Sequence, residues 1–172
     1  MSDEHFIIDS NSLITPYSAY YSFELAPGFW AQLERSIADG SVSILDMVKT
    51  ELTKGNDPLV DWINNIMIGK YIRHSEPDII SVYEQVVQYI YSEPCYSDAA
   101  FMEWGRVDVA DPWLIAASSF YGCKLVTFEK RNLNLNPSYP SKNPKIPDVA
   151  KEFGVTTCDL FYMMRTLGFR LN

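Results

Sequence analysis

A short apolar run with no polar alternation, Phe6-Ile7-Ile8, stops abruptly at Asp9. A run of this kind suits a strand covered on both faces, the condition of a parallel sheet flanked by helices. Ser10, Asn11 and Ser12 follow, residue types that favour turns and helix N-caps. An apolar strand ending in a carboxylate and a polar turn is the layout of a ligand site in an open α/β sheet, where ligands sit beyond the carboxyl ends of the strands. Taken alone, the stretch leaves a lesser alternative, in which Asp9 merely caps the next helix. It is joined, however, by three further carboxylates at comparable places downstream.

The 172 residues suffice for one domain with a substantial core, 1–172, and would be cramped as two. With 47% hydrophobic and 21% charged residues the chain has the profile of a packed protein rather than a disordered one. No apolar run approaches the ~18 residues that span a bilayer, so no membrane association is expected. The acidic start, Met1-Ser2-Asp3-Glu4, runs straight into the first strand and does not read as a signal peptide. Cys95, Cys123 and Cys158 lack metal-ligand spacing and read as reduced thiols of a cytoplasmic protein. His5 and His74 are too far apart in sequence to suggest a histidine-rich metal site or a Ser-His-Asp triad. The net charge of −8 argues against tight non-specific binding to long nucleic acid, although carboxylates gathered to hold cations account for part of such a charge.

Along the chain, an irregular aromatic stretch (Tyr17, Tyr20, Tyr21, Phe23) precedes a helix opened by Pro27 and closed by Gly40. Val42 to Leu45 reads as a second strand, and Asp46 as the cap of a helix to Lys54. At about 100° per residue, Met47, Val48 and Leu52 mark the inward face of that helix, and Glu51 falls between the first two. A carboxylate on a buried face is costly unless paired or bound to metal; the alternative is a glutamate at the rim reaching solvent. Residues 57–68 form an amphipathic pattern. Ser75-Glu76-Pro77-Asp78 resembles a capping box opening a helix to about Glu93, and a short helix covers Tyr96 to Trp104.

Asp108-Val-Ala-Asp111-Pro112 then opens a helix apolar nearly all round, which must be buried, with Asp111 as its expected N-cap. A helix N-terminus favours the ionised carboxylate that a metal ligand requires. Asp108 is a further candidate that reads more simply as a solvated loop residue. Lys124 to Thr127 is the next strand, again followed by an acid, Glu129. The loop from Lys130 to Lys145 is about 16 residues long, a length associated with functional or mobile loops, and carries Lys130, Arg131, Lys142 and Lys145. The end reads as helix (Pro147 to Phe153), strand (Val155 to Thr157) and a last helix capped by Asp159.

Asp9-Ser10-Asn11, Glu51-Leu52, Ala110-Asp111 with Ile115-Ala116-Ala117, and Leu125-Val126-Thr127-x-Glu129, in this order, resemble the motifs of PIN domain nucleases. One position departs from that pattern, Glu129 standing where Asp is usual. The tail from Lys145-Ile146-Pro147-Asp148 to Leu167 resembles a PIN-like subgroup without assigned activity. The resemblance implies a three-layer α/β/α sandwich around a parallel sheet of four or five strands. It also implies a ribonuclease dependent on Mg²⁺ or Mn²⁺, and for small bacterial members a toxin held by an antitoxin. Homodimers are a further expectation. On that reading Asp9 and Asp111 bind metal directly, Glu51 completes the cluster or acts through water, and Glu129 binds at its edge. Ser10, Asn11 and Thr127 orient these ligands or contact phosphate, while Lys130, Arg131, Lys142 and Lys145 guide RNA towards them. Hard divalent ions take oxygen ligands and keep several waters, in agreement with such a set. A phosphohydrolase forming an aspartyl-phosphate needs a second Asp two positions after the first, and position 11 is Asn. The remaining alternative is a PIN-like scaffold that has lost catalysis and works by binding a protein partner.

Overall fold

The computed structural model describes residues 4–66 and 71–171. Its centre is β1 (Phe6–Ile8), completely buried, with β2 (Val42–Ser43) on one side and β3 (Lys124–Val126) on the other. β4 (Thr157–Cys158) lies outside β3. All pairings are parallel, with Phe6 opposite both Val42 and Lys124 and Leu125 opposite Thr157. The order β2-β1-β3-β4 reverses direction between β1 and β3. Chain connections leave those two strands towards opposite edges, and a crevice opens between their carboxyl ends.

Nine helices accompany the sheet among the described residues: α1 (Asn11–Ala19), α2 (Pro27–Ala38), α3 (Asp46–Leu52), α4 (Pro58–Ile66), α5 (Pro77–Ser92), α6 (Asp98–Trp104), α7 (Ala110–Tyr121), α8 (Ile146–Ala150) and α9 (Leu160–Thr166). A 3-10 turn, Lys151–Phe153, continues α8. α7 packs on β1 and β3 and is itself covered by α5 and α8. It is buried from Pro112 to Ser118 and closed by Gly122 at φ +67°, a conformation only glycine adopts cheaply. Right-handed crossovers place α1 and α2 on the opposite face. α9 returns to that face, where Phe169 meets Phe29 with ring centroids 6.0 Å apart and Gln32 Nε2 donates to the Arg170 carbonyl at 2.8 Å. The result is an α/β fold with a four-stranded parallel sheet, in keeping with a three-layer sandwich. No helix among the described residues is long and apolar enough to cross a membrane.

Several local expectations are corrected. The stretch after Ser10 is helical, although Pro16 lies inside α1. Its ring removes one helical donor, and the helix persists because Ser12, Leu13 and Pro16 are all buried against the core. β2 ends at Ser43; Leu45 instead bridges to Ile72, and α3 stops at Leu52, short of Lys54. Asp46 does not cap α3: its carboxylate accepts from the His74 backbone N–H at 3.1 Å and lies 2.8 Å from His74 Nδ1. No capping box forms at α5, whose N-cap is Glu76 without a side-chain cap bond. β4 is shifted towards Cys158, because Thr156 and Cys158 supply the carbonyls that accept from Leu125 and Thr127. The expected helix over 57–68 is seen as α4, and its residues 67–68 lie outside the described residues. Asp159 does cap α9, accepting from the Tyr162 N–H at 2.7 Å.

Candidate active site

The crevice between β1 and β3 is acidic. Asp9 is the residue after β1, where its N–H donates to the Val126 carbonyl at 3.0 Å, and it is 4% exposed. Thr127, the residue after β3, donates its hydroxyl to Asp9 Oδ2 at 3.1 Å and accepts the Glu129 N–H at 3.1 Å. One threonine therefore ties together the ends of both strands. Ser10 Oγ lies 2.6 Å from Glu51 Oε2 and 3.3 Å from Asp9 Oδ1, so its single proton serves the shorter contact and the hydroxyl joins α3 to β1.

Asp111 comes from the side of α7. Val109, not Asp111, is the N-cap, and Pro112 is the third helical residue rather than the first. The carboxylate of Asp111 is consequently not spent on a cap. No hydrogen bond from the described residues answers it, and it is half-buried.

Burial first, then the neighbouring charges of Asp9, Glu129 and Glu51, push the Asp111 carboxyl up to about 7, with Lys145 opposing. Burial also dominates at Asp9, raised to about 6. Glu51 and Glu129 push the same way, and the hydrogen bonds from Thr127 and Ser10 push back. Each carboxylate of the quartet is thus within electrostatic reach of Asp9 or Asp111, although the four are contributed by segments up to 120 residues apart in sequence.

Glu129 is held differently. Its Oε1 accepts from Lys145 Nζ at 3.0 Å and its Oε2 from the Ile146 N–H at 2.7 Å. Two residues along, Asp148 is 2% exposed and accepts from Arg131 Nε at 3.2 Å and from the Asn132 N–H at 2.7 Å. Two carboxylates therefore fasten the loop ends to the start of α8. At the middle, the Ser141 N–H donates to the Cys95 carbonyl at 2.8 Å, and Ser141 O accepts from Ser97 N–H at 3.0 Å. The long loop is thus tied at both ends and at Ser141.

The structure brings together Asp9, Ser10, Glu51, Asp111, Thr127 and Glu129. Asn11 is exposed on the first turn of α1, outside this bonding network. Asp108 is exposed and paired with Arg106 at 2.8 Å. Of the four loop cations, Arg131 and Lys145 are engaged by carboxylates, while Lys130 and Lys142 are exposed. Sequence reasoning missed Asp148 and the inward role of Lys145. The signal that could have found them was a carboxylate in the first turn of a helix whose neighbours Ile146, Pro147, Val149 and Ala150 are all apolar and buried.

Among the described residues no three His, Cys, Asp or Glu side chains already stand in a metal-enclosing arrangement. In chemistry the set does fit a hard divalent cation. Its donors are all oxygen, Asp111 has no competing donor among the described residues, and the burial and mutual repulsion that raise Asp9 and Asp111 are what a bound cation offsets. A family model described as a domain of unknown function, DUF4411, matches residues 6–171. No curated protein matches the chain.

Proposed function

The chain belongs to the DUF4411 family, and from its site we propose that it is a metal-dependent ribonuclease hydrolysing RNA phosphodiester bonds. One observation carries this reading: four carboxylates from separate segments gather at the switch point of a parallel sheet, and Asp111 among them meets no hydrogen-bond donor among the described residues. Asp9, Glu51 and Asp111 would hold Mg²⁺ or Mn²⁺. Held there, such an ion supplies Lewis acidity towards a phosphodiester and a water of lowered pKa. Thr127 and Ser10 fix the carboxylates of Asp9 and Glu51 in place, as groups behind metal ligands do. Exposed Lys130 and Lys142 give the RNA backbone a basic approach in an acidic chain. The resemblance to PIN nucleases adds a biological setting to this proposal, that of a toxin restrained by an antitoxin protein.

A second reading, a PIN-like scaffold that works by binding a protein partner, is favoured by the engagement of Glu129 with Lys145 and Ile146. Incubation with single-stranded RNA in Mg²⁺ or Mn²⁺ separates the two. The ribonuclease reading expects cleavage that chelation abolishes and that Asp9→Asn removes without lowering the melting temperature. Equal cleavage by variant and parent would sink the catalytic assignment, and no cleavage by the parent with either ion would leave the scaffold.

A further inference from the structure

The Lys145–Glu129 pair adjoins the carboxylate crevice, since the Glu129 N–H donates to the Thr127 hydroxyl that itself donates to Asp9. Lys145 is the residue before α8, and its Nζ donates to Glu129 Oε1 at 3.0 Å. The other oxygen of Glu129 takes the Ile146 N–H at 2.7 Å, so both its oxygens face donors from one segment. The same ammonium lies within electrostatic reach of Asp111, whose raised carboxyl it opposes. The lysine side chain is 40% exposed, which leaves room for its remaining N–H bonds to meet a ligand from solvent. Asp148, three residues on, locks Arg131 and Asn132, and thereby fixes the approach of residues 129–132 to the start of α8.

We propose that Lys145 is the fixed cation of this site: it takes the place beside Glu129 that a second divalent ion would otherwise hold, and contacts a non-bridging oxygen of the substrate phosphate. This rests on the ribonuclease reading and deepens it. Three carboxylates, Asp9, Glu51 and Asp111, are left to bind one ion. Glu129 is a positioning residue that holds the lysine rather than a metal ligand. A glutamate suits that role, because its extra methylene carries the carboxylate out to the Lys145 side chain and the Ile146 N–H. An ammonium is a compact charge with rotatable donors, able to serve a carboxylate and a phosphate together.

The test is ion stoichiometry and affinity, measured by Mn²⁺ titration with calorimetry and electron paramagnetic resonance on the full chain. The parent should bind one Mn²⁺ in the crevice, Lys145→Met should acquire a second, and Glu129→Gln should bind one with affinity within about 3-fold of the parent. Loss of a direct ligand, by contrast, typically exceeds the ~10-fold floor seen even for groups behind ligands. Two ions in the parent crevice, or a 10-fold or greater loss in Glu129→Gln, would overturn the proposal. So would a Lys145→Met chain that stays folded by circular dichroism and still binds one ion. If that variant does not fold, the parent stoichiometry and Glu129→Gln decide. Asp9→Asn is the control for the underlying reading: if it binds Mn²⁺ as the parent does, the metal site itself is wrong, an outcome distinct from the failure of the lysine.

Discussion

Asp111 and Asp148 occupy the same kind of place. Each lies in the first turn of a helix, beside a proline, at the sheet end where β1 and β3 finish, Asp148 buried and Asp111 half-buried. Their partners differ completely. Asp148 receives a guanidinium N–H and a peptide N–H, one on each oxygen. Asp111 receives neither among the described residues, and the charges acting on it are three carboxylates and one ammonium. A buried charge that is fully answered serves the fold. One left unanswered among like charges weakens the fold, and perturbed groups of this sort concentrate at functional sites. Position and residue type are shared by these two aspartates, so the division of labour between them is legible only in their hydrogen bonds.

Opposite signs on stability are the sharpest way to break the comparison. Asp148→Ala removes two bonds and strands the Asn132 N–H. Arg131 is half exposed and can turn to water, so the expected loss is about 2 kcal/mol rather than the larger cost of stranding a buried charge. Asp111→Asn removes a repelling charge and should raise stability near neutral pH by about 1 kcal/mol or more. Urea denaturation of the metal-free chains measures both. A destabilised Asp111→Asn would show that Asp111 belongs to the fold in the way Asp148 does.

The pH dependence of the metal-free protein sharpens the same contrast from the side of Asp111. Folded, Asp111 and Asp9 keep their protons up to about 7 and about 6, whereas both ordinarily release them near 3.8. Within that window the folded chain binds more protons than the unfolded one, so stability falls as pH rises and levels off above the folded value of Asp111. The melting temperature should therefore be higher at about pH 5 than at about pH 8, and Asp111→Asn should remove most of the difference. A parent melting temperature that rises steadily over this range would contradict the crowded-carboxylate picture.

Much of this layout was legible in the sequence, and the missing parts share a cause. Phe6–Ile8 and Lys124–Val126 are apolar runs, and each ends in the polar residues that line the crevice. Their parallel pairing and the fold class follow from local pattern. α1 was hidden by Pro16, whose missing donor matters less than the burial of Ser12, Leu13 and Pro16, a tertiary effect. The helix start at Ala110 rather than Pro112 moved Asp111 off the cap, a shift of two residues that decides whether its carboxylate is free. Glu129 with Lys145, and Arg131 with Asp148, are partners 16 and 17 residues apart across an irregular loop, and no periodicity reports such a pairing.

The loop cations extend the comparison to the smallest expected effect. Arg131 and Lys145 answer carboxylates, whereas Lys130 and Lys142 are exposed and join no ion pair among the described residues. If the loop guides RNA, the second pair should carry its salt dependence, because a cation already neutralised by a carboxylate releases fewer counterions from a phosphate. Binding of single-stranded RNA can be followed in an Asp9→Asn background, where cleavage is not expected. Changing Lys130 and Lys142 to Ser should weaken binding at low salt and reduce the slope of log affinity against log salt by up to about 1.4, at about 0.7 for each single-strand phosphate that a lysine no longer neutralises. Arg131→Ser should change the slope less and lower the melting temperature more, since its principal partner is Asp148. A slope unaltered by the double lysine change would mean that RNA reaches the carboxylates over another surface.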